Sequence, residues 1–179
     1  MLLSNNDQFW FAMSTPYGNE LKAKEYLDRL NITSFIPMSY AISEKRGRKE
    51  RKLVPAVRNL LFVYAKKEAI QQAKLRFKYL QYHTKPEQGR NVPIVVPDEQ
   101  MKHFIAIAST NEEHLKYFSS SEINFAKGTK VRIHGGSLDG VEGVFVKIKG
   151  LRSKRVVVSI DGIVNITADV HPDLIEVIE

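Results

Sequence analysis

The sequence predicts an α+β chain of two unlike domains, a β-α-β-β-α-β unit followed by a small five-stranded β-barrel. Three observations carry this. Helical periodicities occur only in the first two-thirds of the chain, where they alternate with short apolar runs. A polar stretch without periodicity, Ser109 to Asn124, then interrupts the pattern. Beyond it, five short β-like runs crowd the remainder, punctuated by glycines.

Taken in order, Phe9 to Met13 (Phe-Trp-Phe-Ala-Met) is an aromatic-rich apolar run, suited to a buried central strand. Thr15-Pro16-Tyr17-Gly18-Asn19 breaks it, and Asn19 is placed to cap the helix that follows. Ala23, Tyr26, Leu27 and Leu30 recur at helical spacing, and Asn31 ends that helix. Phe35 to Ile42 reads as a second strand, interrupted by Pro37 in the manner of an edge or a bulge. A charged segment leads to a third strand, Leu60 to Tyr64, apolar enough to be buried on both faces. Lys66 to Phe77 is a second helix, with Ile70, Ala73 and Phe77 on one side. Tyr79 to His83 forms a fourth strand, which completes the ferredoxin-like order. A further helix starts at Asp98, after Pro97, with Met101, Phe104, Ile105 and Ala108 as its inner stripe.

The expected divisions are residues 7–108 for the first domain, 109–124 for the linker and 125–179 for the barrel. The barrel strands are Lys130–His134, Val141–Lys149, Arg155–Ile160, Ile163–Ala168 and Leu174–Ile178. Asp161-Gly162 has the composition of a two-residue hairpin turn.

Composition narrows the function classes. The net charge is +7 and the sequence pI about 9.5, a balance that favours nucleic acid or an acidic partner surface. The absence of cysteine removes disulfides, thiol catalysis and cysteine metal sites, and fits a reducing cytoplasm. The first residues carry no positive, apolar leader pattern, and no apolar run is long enough to span a membrane. His83, His103, His114, His134 and His171 are scattered, with no i,i+4 pair to hold zinc. Gly135 to Gly140 resembles a phosphate loop only superficially, since it lacks the Gly-Lys-Ser/Thr ending and leads into a strand. Glu112 and Glu113 lie in the expected linker, and no serine sits in a nucleophile elbow. The expectation is a cytoplasmic, monomeric binding protein that is not an enzyme and needs no cofactor or metal.

The segment Val131-Arg132-Ile133-His134-Gly135-Gly136-Ser137-Leu138-Asp139-Gly140-Val141-Glu142-Gly143-Val144 runs strand, glycine-rich turn, strand. Its spacing, with Gly136, Gly140 and Gly143, resembles the KOW motif of SH3-like barrels in NusG-type transcription factors and some ribosomal proteins. Upstream, Phe9-Trp10-Phe11, Gly18-Asn19-Glu20, Ile36-Pro37-Met38 and Leu60-Leu61-Phe62-Val63 resemble the NusG N-terminal domain (NGN) in order and spacing. The resemblance spans nearly the whole chain. It implies a transcription elongation or antitermination factor that holds the clamp helices of bacterial RNA polymerase through an apolar patch. Here that patch corresponds to Val57, Leu60 and Phe62, with Trp10 in support. The usual apolar-Pro-x-Tyr-apolar-Phe-Val reads Val57-Arg58-Asn59-Leu60-Leu61-Phe62-Val63 in this chain. That departure favours a specialised paralogue of the RfaH or UpxY type, acting on long operons such as those for surface polysaccharides. The KOW domain is expected to recruit a small-subunit ribosomal protein or Rho. An alternative is a KOW-containing ribosome-associated RNA-binding protein.

Two basic runs complete the candidate sites. Lys45, Arg46, Arg48, Lys49, Arg51, Lys52 and Arg58 are set against only Glu44 and Glu50. They are expected at the tip of a β-hairpin turning at Gly47, where cations would meet the phosphates of DNA near the transcription bubble. No aromatic interrupts that run, so base stacking is not indicated there. Lys147, Lys149, Arg152, Lys154 and Arg155 form a second run around Gly150.

Overall fold

The computed structural model describes residues 7–110 and 114–178, with Lys45 described by its backbone alone. Glu112 and Glu113, the adjacent acids of the expected linker, lie outside the described residues. In chain order the strands and helices are β1 (Phe9–Ser14), α1 (Glu20–Arg29), β2 (Thr33–Phe35), β3 (Met38–Lys45), β4 (Arg48–Pro55), β5 (Leu61–Ala65), α2 (Lys67–Arg76), β6 (Gln81–Tyr82), β7 (Thr84–Glu87), β8 (Arg90–Pro93), β9 (Val95–Val96) and α3 (Asp98–Ala108). They continue with β10 (Lys116–Ser119), β11 (Thr129–Ile133), β12 (Glu142–Lys147), β13 (Lys154–Ile160), β14 (Val164–Ala168) and β15 (Ile175–Val177). The chain divides into two compact units, one of Met1–Met38 with Val54–Asp98, the other of Ser39–Leu53 with Glu99–Glu179.

In the first unit, an antiparallel sheet runs in the order β2-β5-β1-β6, and β9 also pairs with β1. Alternation along the strands decides the core. Phe11 and Met13 of β1, with Leu61, Val63 and Ala65 of β5, pack against Ala23 and Leu27 of α1 and Ile70 and Ala73 of α2. Asn19 sits at the start of α1, yet its side chain does not accept from the helix; Nδ2 instead donates to the Pro16 carbonyl at 2.8 Å. Asn31, at φ 54°, ends the helix in the left-handed region that asparagine tolerates. Pro37 separates β2 from β3, so the single second strand of the sequence reading is two.

In the second unit, six antiparallel strands run in the order β10-β14-β13-β12-β11-β15. The five expected strands are present as β11 to β15. The sixth, β10, lies where the sequence suggests a linker, because Tyr117 and Phe118 pair opposite Ile166 and Asn165. Serine-rich flanks mask that short apolar pair in the sequence. The β13–β14 loop holds three residues, not two: Ile160 pairs with Val164, and Gly162 takes φ 74° between them.

Helix α3 groups with this second unit, although the sequence reading gives it to the first. Its buried stripe is Met101, Phe104, Ile107 and Ala108; Ile107 replaces the expected Ile105, which is half-buried. Phe104 meets Tyr117 edge-on at 6.4 Å, and Gln100 donates to Asp161 at 3.1 Å.

Candidate functional site

The first candidate is the apolar patch on the sheet. Register sets Ala12 opposite Phe62 and Trp10 opposite Tyr64. Phe62 and Trp10 therefore share the face of the sheet that α1 and α2 do not cover. The Trp10 and Tyr64 rings lie 5.3 Å apart. Leu60 is 2% exposed and Phe62 fully buried, whereas Trp10 and Val57 are half-buried, Val57 in the bend before β5. Leu60 and Phe62 are thus core residues of the chain as it stands, and the exposed part of the expected patch is Val57 and Trp10. The cause is that both sides of β5 are packed, so alternation does not leave one face to solvent.

A buried carboxylate fixes the loop that carries Val57. Glu20, in the first turn of α1 and 3% exposed, accepts at Oε1 from the Asn59 backbone N–H at 2.6 Å. Asn59 is left-handed at φ 60°, and its carbonyl accepts from the Thr15 backbone N–H at 3.4 Å. The Gly18-Asn19-Glu20 motif therefore does more than open a helix, a role the sequence reading misses.

The second candidate is the charged ribbon. Strands β3 and β4 pair across the two-residue turn Arg46-Gly47, at φ 53° and 74°. Two consecutive left-handed residues give the turn whose twist matches a hairpin, and glycine is suited to the second of them. Arg46, Arg48, Lys49, Arg51 and Lys52 are exposed, as are Glu44 and Glu50. Lys52 and Glu50 form a surface pair at 3.5 Å. The base of the ribbon is closed by Ala56 N–H donating to the Pro37 carbonyl at 2.8 Å. Arg58 stands outside the ribbon, exposed in the turn before β5, and so is not part of its tip.

Pairing brings in an aromatic that the linear run conceals. Tyr40 of β3 carries the Arg51 guanidinium over its ring, 3.7 Å from the centroid. The sequence reading finds no aromatic among these charges; folding supplies one from the opposite strand.

The third candidate is the glycine corner of the second unit. Gly136 and Gly140 are left-handed, at φ 70° and 78°. Gly143 serves differently: a Cβ there would lie 2.6 Å from the Val157 carbonyl oxygen on the neighbouring strand β13. Of the second basic run, Lys147, Lys149, Arg152 and Lys154 are exposed. Arg155 is not part of that surface. It is 9% exposed, pairs with Asp169 at 3.1 Å and donates to the His114 carbonyl at 3.1 Å.

Several described residues titrate away from their ordinary values. Burial pushes Tyr117 up to about 12, and burial with the nearby Glu68 charge does the same to Tyr82. Glu142 is held below the carboxylate range chiefly by its hydrogen bond from Arg132, at 2.6 Å. No group of three or more metal-ligating side chains occurs among the described residues. No helix among them is long and apolar enough to cross a membrane.

Residues 8–105 match the family model described as "Transcription termination factor nusG". The chain belongs to the NusG family. Members of this family are non-catalytic transcription factors that typically bind RNA polymerase. Among solved structures, the chain is similar to one described under "Domain interaction in Thermotoga maritima NusG". That likeness has 21% identity and a TM-score of 0.49, over 98% of this chain and 100% of that one. No curated protein matches. The NusG match falls on the segments that carry the sheet, both its helices, the ribbon and most of α3.

Proposed function

We propose that this NusG-family chain is an elongation or antitermination factor that holds the clamp helices of bacterial RNA polymerase through the helix-free face of its first sheet. The family match over residues 8–105 carries this reading. Val57 and Trp10 make the first contact, being the partly exposed members of the patch. Leu60 and Phe62, buried beside them, complete the patch. The strand order β2-β5-β1-β6, with α1 and α2 packed on one side, supports a ferredoxin-like NGN domain. The six-strand unit with its glycine corner supports an SH3-like KOW barrel that recruits a small-subunit ribosomal protein or Rho. The exposed ribbon meets nucleic-acid phosphates beside the polymerase. Antitermination follows if binding only the closed clamp draws the enzyme away from its open, paused state. The Arg58 and Leu60 departures favour a specialised paralogue for long operons. A ribosome-associated role would leave the N-terminal match without a purpose.

The test is capture of purified bacterial RNA polymerase by the full-length protein, wild type against Val57→Asp. The variant is expected to lose about tenfold in affinity, since a charge is forced into an apolar contact, while its melting temperature stays close to wild type. Failure of the folded wild-type protein to bind polymerase overturns the reading.

A further inference from the structure

We propose that the β3–β4 ribbon holds unpaired nucleobases on the face that carries Tyr40, Ile42 and Leu53, binding single-stranded nucleic acid by stacking as well as by charge. This deepens, and rests on, the nucleic-acid reading of the ribbon given above.

The two faces of the ribbon are unlike. Alternation puts Tyr40, Ile42 and Glu44 together on one side of β3, and Lys49, Arg51 and Leu53 together on one side of β4. The Arg51 contact with the Tyr40 ring shows that these two sets share a face. On that face Ile42 is 74% exposed, Tyr40 44% and Leu53 42%. The opposite face carries Ser39, Ala41 and Ser43 with Arg48, Glu50 and Lys52. A solvated ribbon that served only to keep charge in water would have no reason to gather its three exposed large apolar side chains on one side.

The chemistry of that side selects its occupant. The Arg51 guanidinium covers one plane of the Tyr40 ring, and this pair shares its face with the branched aliphatics Ile42 and Leu53 and the cations Arg46 and Lys49. Bases stack on tyrosine and arginine planes, and the surrounding cations neutralise the strand that carries the bases. The two-residue rise along a strand, about 6.8 Å, spaces Tyr40 and Ile42 so that successive unstacked bases can each meet a side chain. Duplex DNA offers the phosphates but keeps its base faces hidden, so it satisfies only the charges.

Fluorescence anisotropy of the full-length protein tests this with labelled strands of about twelve nucleotides: oligo(dT), oligo(rU), an abasic strand of equal charge, and a duplex. Oligo(dT) or oligo(rU) is expected to bind about tenfold tighter than the abasic strand. Tyr40→Ala should remove most of that advantage and Tyr40→Phe should keep it. Arg46→Gln with Lys49→Gln should weaken all strands alike. Circular dichroism of each variant guards against unfolding. Equal binding of abasic and base-bearing strands, or an unchanged advantage in Tyr40→Ala, overturns the stacking proposal and leaves the charge reading standing. No binding of any strand at low salt overturns both. Loss of polymerase capture in Tyr40→Ala, with oligonucleotide affinities unchanged, overturns it in favour of a protein partner.

Discussion

Glu20 ties the start of α1 to the loop before β5 through one hydrogen bond, and its removal is the sharpest residue-scale test. Glu20→Ala leaves the Asn59 N–H, held at φ 60°, without its acceptor. A loss of about 1–3 kcal/mol is expected, read from urea denaturation, and Glu20→Gln should recover part of it. A second test concerns His83. Burial lowers its pKa below the ordinary value, against a smaller opposing effect of a hydrogen bond with the Asn59 backbone. The folded state therefore takes up its proton less readily than the unfolded chain. The stabilisation is complete above about pH 6.5 and is lost as the pH falls through the lowered value. The denaturation midpoint should drop between neutral and mildly acid pH, and His83→Gln should flatten that part of the profile. An equal drop in the variant would assign the pH dependence to other groups. Neither role is legible in the sequence, because Glu20 reads as an ordinary first-turn acid and His83 as one of several scattered histidines.

At the scale of elements, the KOW-like glycines divide into two kinds that thermal melting can separate. Gly140→Ala strains only a left-handed residue in open space, at a cost of about 1–2 kcal/mol. Gly143→Ala drives a methyl into the backbone of β13 and should cost more, about 2–3 kcal/mol. The reverse order would mean that β12 and β13 move apart easily. Most strands and helices were legible, because Phe9–Met13, Leu60–Tyr64 and the stripes of α1 and α2 have clear periods. The misses have local causes. Strand β10 is short and framed by serines, and Asp161-Gly162 belongs to a three-residue loop closed by Ile163 N–H on the Ile160 carbonyl. The patch was half legible: family pattern selected Val57, Leu60 and Phe62, while the unbroken apolar run Leu60–Tyr64 already pointed to a strand buried on both faces, at odds with an exposed patch. Arg155 fails for another reason, as a cation in a basic run that folding turns inward to Asp169.

For the molecule as a whole, the +7 charge is unevenly used. Cations of the ribbon stand exposed, while Arg132 is tied to Glu142 and Arg155 to Asp169. Salt dependence of single-strand binding should report the ribbon in particular. Each phosphate contact contributes a slope of about −0.7 in log K against log salt. Replacing Arg46 and Lys49 with glutamine should therefore flatten the slope by about 1.4, whereas Arg152→Gln with Lys154→Gln should leave it unchanged. An equal effect of both sets would spread binding over the whole basic surface. The Arg46-Gly47 turn also has a consequence for proteolysis. Trypsin meets a row of basic cleavage sites in the ribbon, yet it needs an extended, unpaired segment in its cleft. The paired strands and the tight turn deny it one, so cleavage must wait for the ribbon to unzip. The digestion rate then becomes a clock for that opening, and any strand that grips both arms of the ribbon will slow it.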